Sequence, residues 1–150
     1  MTIRTFKGRP ALAGDTEGEA AVSKAGFNTC AVYIDVMTKD ADSGICMDHG
    51  NVDLYQKDLT GKILCLPSTI GSSSAACLYV SIAEKGVAPK AMLFANHIDT
   101  LAATGLIMVD SWLDKRIITV DQLGPEFLEA VNTGDAVVVH EDGTVEVHSH

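Results

Sequence analysis

Lys62-Ile63-Leu64-Cys65-Leu66 runs through Pro67 into Ser68-Thr69-Ile70-Gly71-Ser72-Ser73-Ser74, then a helical stretch to about Lys85, then Gly86, Pro89 and a second apolar run, Ala91-Met92-Leu93-Phe94-Ala95. Both apolar runs are continuous rather than alternating, which suits strands buried on both faces. Gly86 stands where a helix C′ residue belongs, and Pro89 stops the helix from continuing. Strand, Gly/Ser loop, helix and strand together make one βαβ unit, with parallel strands and a right-handed crossover.

Outward from this unit the signals change. On the C-terminal side, Gly105–Val109 and Ile117–Val120 read as further strands. Pro125–Asn132 reads as a short helix, with Pro at its first turn and Gly134 just past its end. Asp135–His140 and Thr144–His148 flank Glu141-Asp142-Gly143, and an Asp-Gly turn between β-branched runs predicts an antiparallel hairpin. On the N-terminal side, Ala31–Val36 (Ala-Val-Tyr-Ile-Asp-Val) is β-branched and reads as a strand. Glu19–Ser23 is a weaker strand, Thr38–Gly50 a polar loop, and residues 1–15 an irregular entry with one short strand. The expectation is an α/β fold: a mixed sheet with a parallel βαβ core and a C-terminal antiparallel hairpin. No repeat or linker interrupts residues 1–150, so they read as one domain.

Composition narrows the function. The chain has 150 residues, 47% of them hydrophobic and 21% charged, which is a globular balance. Eleven Lys and Arg against 20 Asp and Glu leave a net charge of −9, which argues against nucleic acid and against anionic membrane as partners. No apolar run approaches the ~20 residues of a spanning helix. Met1–Pro10 carries Arg4, Lys7 and Arg9 without an apolar stretch behind them, so no signal peptide is expected. The four cysteines, Cys30, Cys46, Cys65 and Cys77, contain no C-x-x-C pair, which excludes a zinc ribbon. Cys65 and Cys77 sit in apolar surroundings and read as buried reduced thiols. Free thiols in a chain of this size point to the cytoplasm.

Gly71–Ser74 is the best candidate for chemistry. The loop leaves the carboxyl end of a buried strand, the edge at which open α/β sheets bind ligands. It opens a helix, whose first amides lack intrahelical partners and whose dipole favours negative charge. Serines also cap helices, but three in a row exceed what one cap needs. The loop is not a Walker motif, since no Lys stands between Lys62 and Lys85. Nor is it a nucleophile elbow, which wants a second Gly where Ala75 stands. Asn96-His97-Ile98-Asp99 follows the second buried strand and reaches the same edge. His97 and Asp99 form a pair there, with a capped loop as the plainer reading. Asp48-His49-Gly50 reads first as a turn. No grouping of ligands predicts a metal bound by this chain.

Gly14-Asp15-Thr16-Glu17-Gly18-Glu19-Ala20, Leu59-Thr60-Gly61-Lys62-Ile63-Leu64, Gly71-Ser72-Ser73-Ser74, Gly86-Val87-Ala88-Pro89-Lys90-Ala91 and Thr133-Gly134-Asp135 occur in this order. Together they resemble the landmarks of the aconitase X small subunit, over nearly the whole chain. The resemblance implies a swivelling β/β/α domain that works with a large partner subunit carrying an iron–sulfur cluster, so that none of the four cysteines here is a cluster ligand. It implies a hydro-lyase, a dehydratase of the cis-3-hydroxy-L-proline or phosphomevalonate type. It implies Ser72 as the catalytic base, with Gly71, Ser73 and Ser74 on the substrate. Removing a proton α to a carboxylate builds negative charge that preorganised amides can stabilise. A serine needs activation by such donors or by a cation to serve as a base.

The chain also departs from the pattern of the family it resembles. Aconitases place Arg after Gly-Ser-Ser, where Ser74 stands. Gly26-Phe27-Asn28-Thr29-Cys30 replaces an aromatic-Gly-Gly stretch, and Val52-Asp53-Leu54-Tyr55 replaces a His-Pro. With no basic phosphate grip in the serine loop, a small zwitterion such as cis-3-hydroxy-L-proline is the expected substrate. Phosphomevalonate is the alternative, and a small-anion-binding module without chemistry is the rival of another class.

Overall fold

A computed structural model describes residues 1–150. In chain order the elements are β1 (Thr2–Lys7), β2 (Arg9–Leu12), β3 (Thr16–Val22), β4 (Phe27–Asn28), α1 (Thr29–Val32), α2 (Ile34–Lys39), β5 (Ile63–Leu66) and β6 (Thr69–Ile70). They continue with α3 (Ala75–Glu84), β7 (Ala91–Phe94), α4 (Thr100–Trp112), β8 (Ile118–Asp121), α5 (Pro125–Ala130), β9 (Ala136–Val139) and β10 (Thr144–Ser149).

β3, β5, β7 and β8 are parallel neighbours in sequence order, with Ala20 opposite Ile63, Ile63 opposite Ala91 and Ala91 opposite Ile118. Right-handed crossovers between successive neighbours put every connecting helix on one face. The side chains agree. Leu64, Leu66, Met92 and Phe94 join residues of α1 to α4 in one buried cluster. Their alternates Ile63, Cys65, Ala91 and Leu93 join Phe127 of α5 and Val137, Val139, Val145 and Val147 of the hairpin in another. Each large aliphatic or aromatic side chain so buried contributes ~1.5–3 kcal/mol.

The eight-stranded sheet runs β1-β10-β9-β3-β5-β7-β8-β2. Its two edge strands, β1 and β2, are separated only by Gly8, so the sheet must curl until its ends approach each other. Gly8 makes the corner: its amide donates to the Gly143 carbonyl at 3.0 Å, and a Cβ there would fall 2.5 Å from the Asp121 carbonyl oxygen. The expected mixed sheet, parallel core and C-terminal hairpin are all present. The entry is more ordered than expected, since residues 1–15 hold both β1 and β2. Edge exposure leaves β1 without an apolar alternation to read, as only Phe6 turns inward, onto Phe127 at 5.5 Å between ring centroids.

Two expected strands are helical. Ala31–Val36 lies in α1 and α2, where Thr29, Val32, Tyr33 and Val36 are buried at helical spacing. Asn28 starts the turn by accepting the Ala31 amide at 3.1 Å. Gly105–Val109 lies inside α4, with Ala102, Leu106 and Val109 inward. Gly105 is there for close packing, because a Cβ would meet Tyr79 of α3 at 2.3 Å. Packing against the sheet overrides β-branched propensity in both segments.

Candidate active site

The carboxyl ends of β3, β5, β7 and β8 form one edge of the sheet, and the serine loop leaves it after Leu66. The loop is stitched to the segment before α1. The Phe27 amide donates to the Ser68 carbonyl at 3.0 Å, and β4 and β6 pair in parallel with Phe27 opposite Thr69 and Asn28 opposite Ile70. Gly71 then turns the chain at φ 109°, a conformation that side chains oppose. Its space is closed as well, since a Cβ would lie 2.6 Å from Asn28 Oδ1.

Gly71, Ser72, Ser73 and Ser74 are all exposed, and Ala75 begins the ten-residue α3. Ser72 Oγ accepts the Ser74 amide at 3.2 Å, and the Ser72 carbonyl accepts the Ala75 amide at 3.1 Å. Ser74 occupies the N-cap position without a side-chain cap bond. The capping role is therefore not what Ser74 does, and Ser72 turns its hydroxyl toward the loop's own amide. Cys30 lies against the loop from α1. Burial pushes its thiol pKa up, and the adjacent Ser72 amide partly offsets this. A cleft of about 480 Å³ opens beside the loop, with Ser74 and Cys77 of α3 on one wall and Val36, Met37 and Asp40 on the other.

Asp99 is brought to the serine loop, whereas His97 and His49 have no bond to it. The Asp99 carboxylate accepts the amide of Thr69 at 2.8 Å, the Thr69 hydroxyl, and the Ala102 amide at 3.1 Å as N-cap of α4. The capped-loop reading of this residue holds, with the tie to Thr69 in addition. His97 is exposed, and its Nδ1 lies 3.9 Å from Asp121 Oδ2. The His49 ring lies tilted against Tyr55, 4.4 Å between ring centroids, in the Asp48–Gly50 turn, where the Gly50 amide donates to Asp48 Oδ1 at 2.9 Å. Lys24, at the same edge, commits its ammonium to the carbonyls of Leu128 and Val131 near the end of α5. Sequence reasoning missed Asn28, Cys30 and the link from Asp99 to Thr69. Of these only Asn28 had a signal, as an N-cap residue ahead of helical spacing.

The cysteines do not form a metal site. Cys46 and Cys65 are fully buried in the core and Cys30 nearly so. Cys77 is exposed, contrary to expectation, because it falls on the outer face of α3 between the inward Ala75 and Leu78. No group of three or more His, Cys, Asp or Glu side chains is arranged to hold a metal ion. No helix is long and apolar enough to cross a membrane.

A curled mixed sheet with α1 to α4 on one face, α5 and the hairpin on the other, and an exposed Gly71–Ser74 loop at the carboxyl edge of its parallel strands defines a swivel-type α/β domain. Residues 5–147 match the family model of the aconitase X swivel domain, and the chain belongs to that family. It is 29% identical to the phosphomevalonate dehydratase small subunit of Aeropyrum pernix, over 98% of this chain and 96% of that one. To the protein of the same name from Archaeoglobus fulgidus it is 32% identical, over 95% and 97%. Aconitase X of Thermococcus kodakaraensis, in its holo form, superposes with a TM-score of 0.81 at 28% identity, covering 97% of this chain and 99% of that one. Its homologues are thus small subunits of a dehydratase.

Proposed function

We propose that this chain, as a single swivel domain, is the small subunit of an aconitase X-type hydro-lyase, with Ser72 as its base. The observation that carries the reading is the exposed Gly71–Ser74 loop at the start of α3, on the carboxyl edge of a sheet whose family is that of aconitase X. In the reaction, Ser72 Oγ, deprotonated by the activation it needs, takes the proton α to the substrate carboxylate and becomes a neutral hydroxyl. The freed electron pair forms the carbon–carbon double bond as the bond to the hydroxyl group on the neighbouring carbon breaks and that group leaves as hydroxide. The positive end of α3, with the Ser73 hydroxyl and amide, faces the carboxylate oxygens on which charge develops. Gly71 and Ser74 are the other substrate-binding positions of the loop on this reading.

The iron–sulfur cluster of the family does not fit the residues of this chain, since its thiols are buried or scattered and no ligand group converges. The reading therefore assigns the cluster to the large partner subunit, together with the activation that Ser72 needs. Four free cysteines are in keeping with a reducing, cytoplasmic setting.

For the substrate, cis-3-hydroxy-L-proline is favoured by the serine loop's lack of a basic side chain and by the engagement of Lys24 with α5. Phosphomevalonate is the second reading, favoured by the names of the relatives. The test is co-expression with an aconitase X-type large subunit from the same organism and assay of both compounds. Dehydration of hydroxyproline supports the first reading. Dehydration of phosphomevalonate alone replaces it, and an active complex that spares both compounds refutes both.

A further inference from the structure

We propose that Asp99 is the positioning residue of the serine loop, an inference that rests on reading Gly71–Ser74 as the catalytic loop. A helix-capping aspartate needs one donor, and Asp99 has it in the Ala102 amide at 3.1 Å. The same carboxylate also holds Thr69 twice, by its amide at 2.8 Å and by its hydroxyl. Thr69 is buried, 7% exposed, and stands two residues before Gly71.

The segment that carries Asp99 is anchored in turn. The Ile98 amide donates to Asp121 Oδ2 at 2.8 Å, and Arg9 grips that carboxylate with Nε at 2.8 Å and Nη2 at 2.7 Å. Burial works against a charge on Asp121, yet the Arg9 fork and the Ile98 amide outweigh it and keep its pKa below the usual aspartate range. A run of charge-assisted bonds thus leads from β2, through β8 and the Asn96–Asp99 segment, to the foot of the serine loop.

The loop has need of such a hold. Its four residues are exposed, and it pivots at a glycine with φ 109°. Its far end is fixed by α3, and its near end by Thr69. A serine that must meet one proton of a bound substrate tolerates little displacement, for about 1 Å of misplacement costs up to ~10²-fold in rate. Asp99 supplies the near-end constraint without touching substrate.

Two variants separate positioning from capping. Asp99→Ser keeps a hydroxyl that caps α4 but is too short to hold both donors of Thr69. Thr69→Val keeps the shape and the full cap, and removes the hydroxyl bond. The readouts are ¹⁵N order parameters of Ser72 and Ser73 in the full chain, and kcat and KM of the assembled complex. In the unmodified chain the order parameters are expected near ~0.85, falling below ~0.6 in Asp99→Ser and lying between in Thr69→Val. The expected kcat loss is about tenfold or more in Asp99→Ser, with KM little changed. A merely structural cap would change the melting temperature alone. Rigid Ser72 and Ser73 in both variants, or loop residues already mobile in the unmodified chain, overturn the proposal. Ser72→Ala is assayed alongside, and its turnover decides the catalytic reading separately from the order parameters.

Discussion

Gly71→Ala tests whether the serine loop is shaped by Asn28. The new methyl group meets two costs. At φ 109° a side chain carries strain of ~1–2 kcal/mol. Its Cβ would also fall 2.6 Å from Asn28 Oδ1, where ordinary contact begins near 3.4 Å. Asn28 must then swing away and release the Ala31 amide that it holds at 3.1 Å, a lost cap of ~1 kcal/mol. The total is ~2–3 kcal/mol. Gly86→Ala is the control, because Gly86 has φ 73° with nothing within 4 Å of a Cβ, so that strain alone applies. Melting temperatures should therefore place Gly71→Ala below Gly86→Ala by ~2–4 °C, the equivalent of about 1 kcal/mol in a chain of this size. Asn28→Ala combined with Gly71→Ala should be less damaging than the sum of the two by ~1 kcal/mol, since the cap is lost only once. Equal melting temperatures for the two glycine variants, with an additive double variant, would refute the steric account.

The hairpin carries a pH dependence of its own. His140 Nε2 lies 2.5 Å from Glu146, which raises the histidine pKa and lowers that of the glutamate. The histidine's share of stability is lost as pH rises through its raised folded value, and the glutamate's as pH falls through its depressed one. The pair therefore contributes most between the ordinary values of 4.5 and 6.5. The stability difference between the unmodified chain and His140→Gln, followed by denaturant titration across pH, should peak there, and a flat difference contradicts the pairing. A thiol reagent should label one cysteine quickly in the native chain, the exposed Cys77, and all four after unfolding. Cys30→Ala or Cys46→Ala should leave iron per assembled complex unchanged; iron loss from a folded complex would show that this chain supplies a ligand.

The parts of the fold that were legible in the sequence are those where local signals and packing agree. β5 and β7 carry continuous apolar runs because both faces of each strand are covered, by α1 to α4 on one side and by α5 with the hairpin on the other. The Asp142-Gly143 turn announces β9 and β10, with Gly143 at φ 90°. Legibility fails where packing decides. Val32, Tyr33 and Val36 have β-branched or aromatic side chains, yet their spacing from Thr29 fits a helix that lies on the core. Gly105 reads as the first residue of a strand and is instead the contact that lets α3 and α4 approach. The closure of the sheet was hidden in Gly8, whose neighbours pair with strands more than a hundred residues away. At the site, the serine loop was visible from its place after a buried strand. The tie from Asp99 to Thr69 was not, because it joins the loops after two different strands, and only the parallel register of β5 and β7 brings them together.

The measurement closest to the central claim is kcat of the assembled complex with Ser72→Ala. The variant loses the 3.2 Å bond from the Ser74 amide to Ser72 Oγ, which costs only ~1 kcal/mol of stability, and the backbone of the loop remains to bind substrate. A base at Ser72 predicts a fall in kcat of ~10²–10⁴ with KM little changed, while Ser74→Ala mainly raises KM. A Ser72→Ala complex that keeps more than about a tenth of the unmodified kcat would contradict the assignment and leave the loop as an anion cradle.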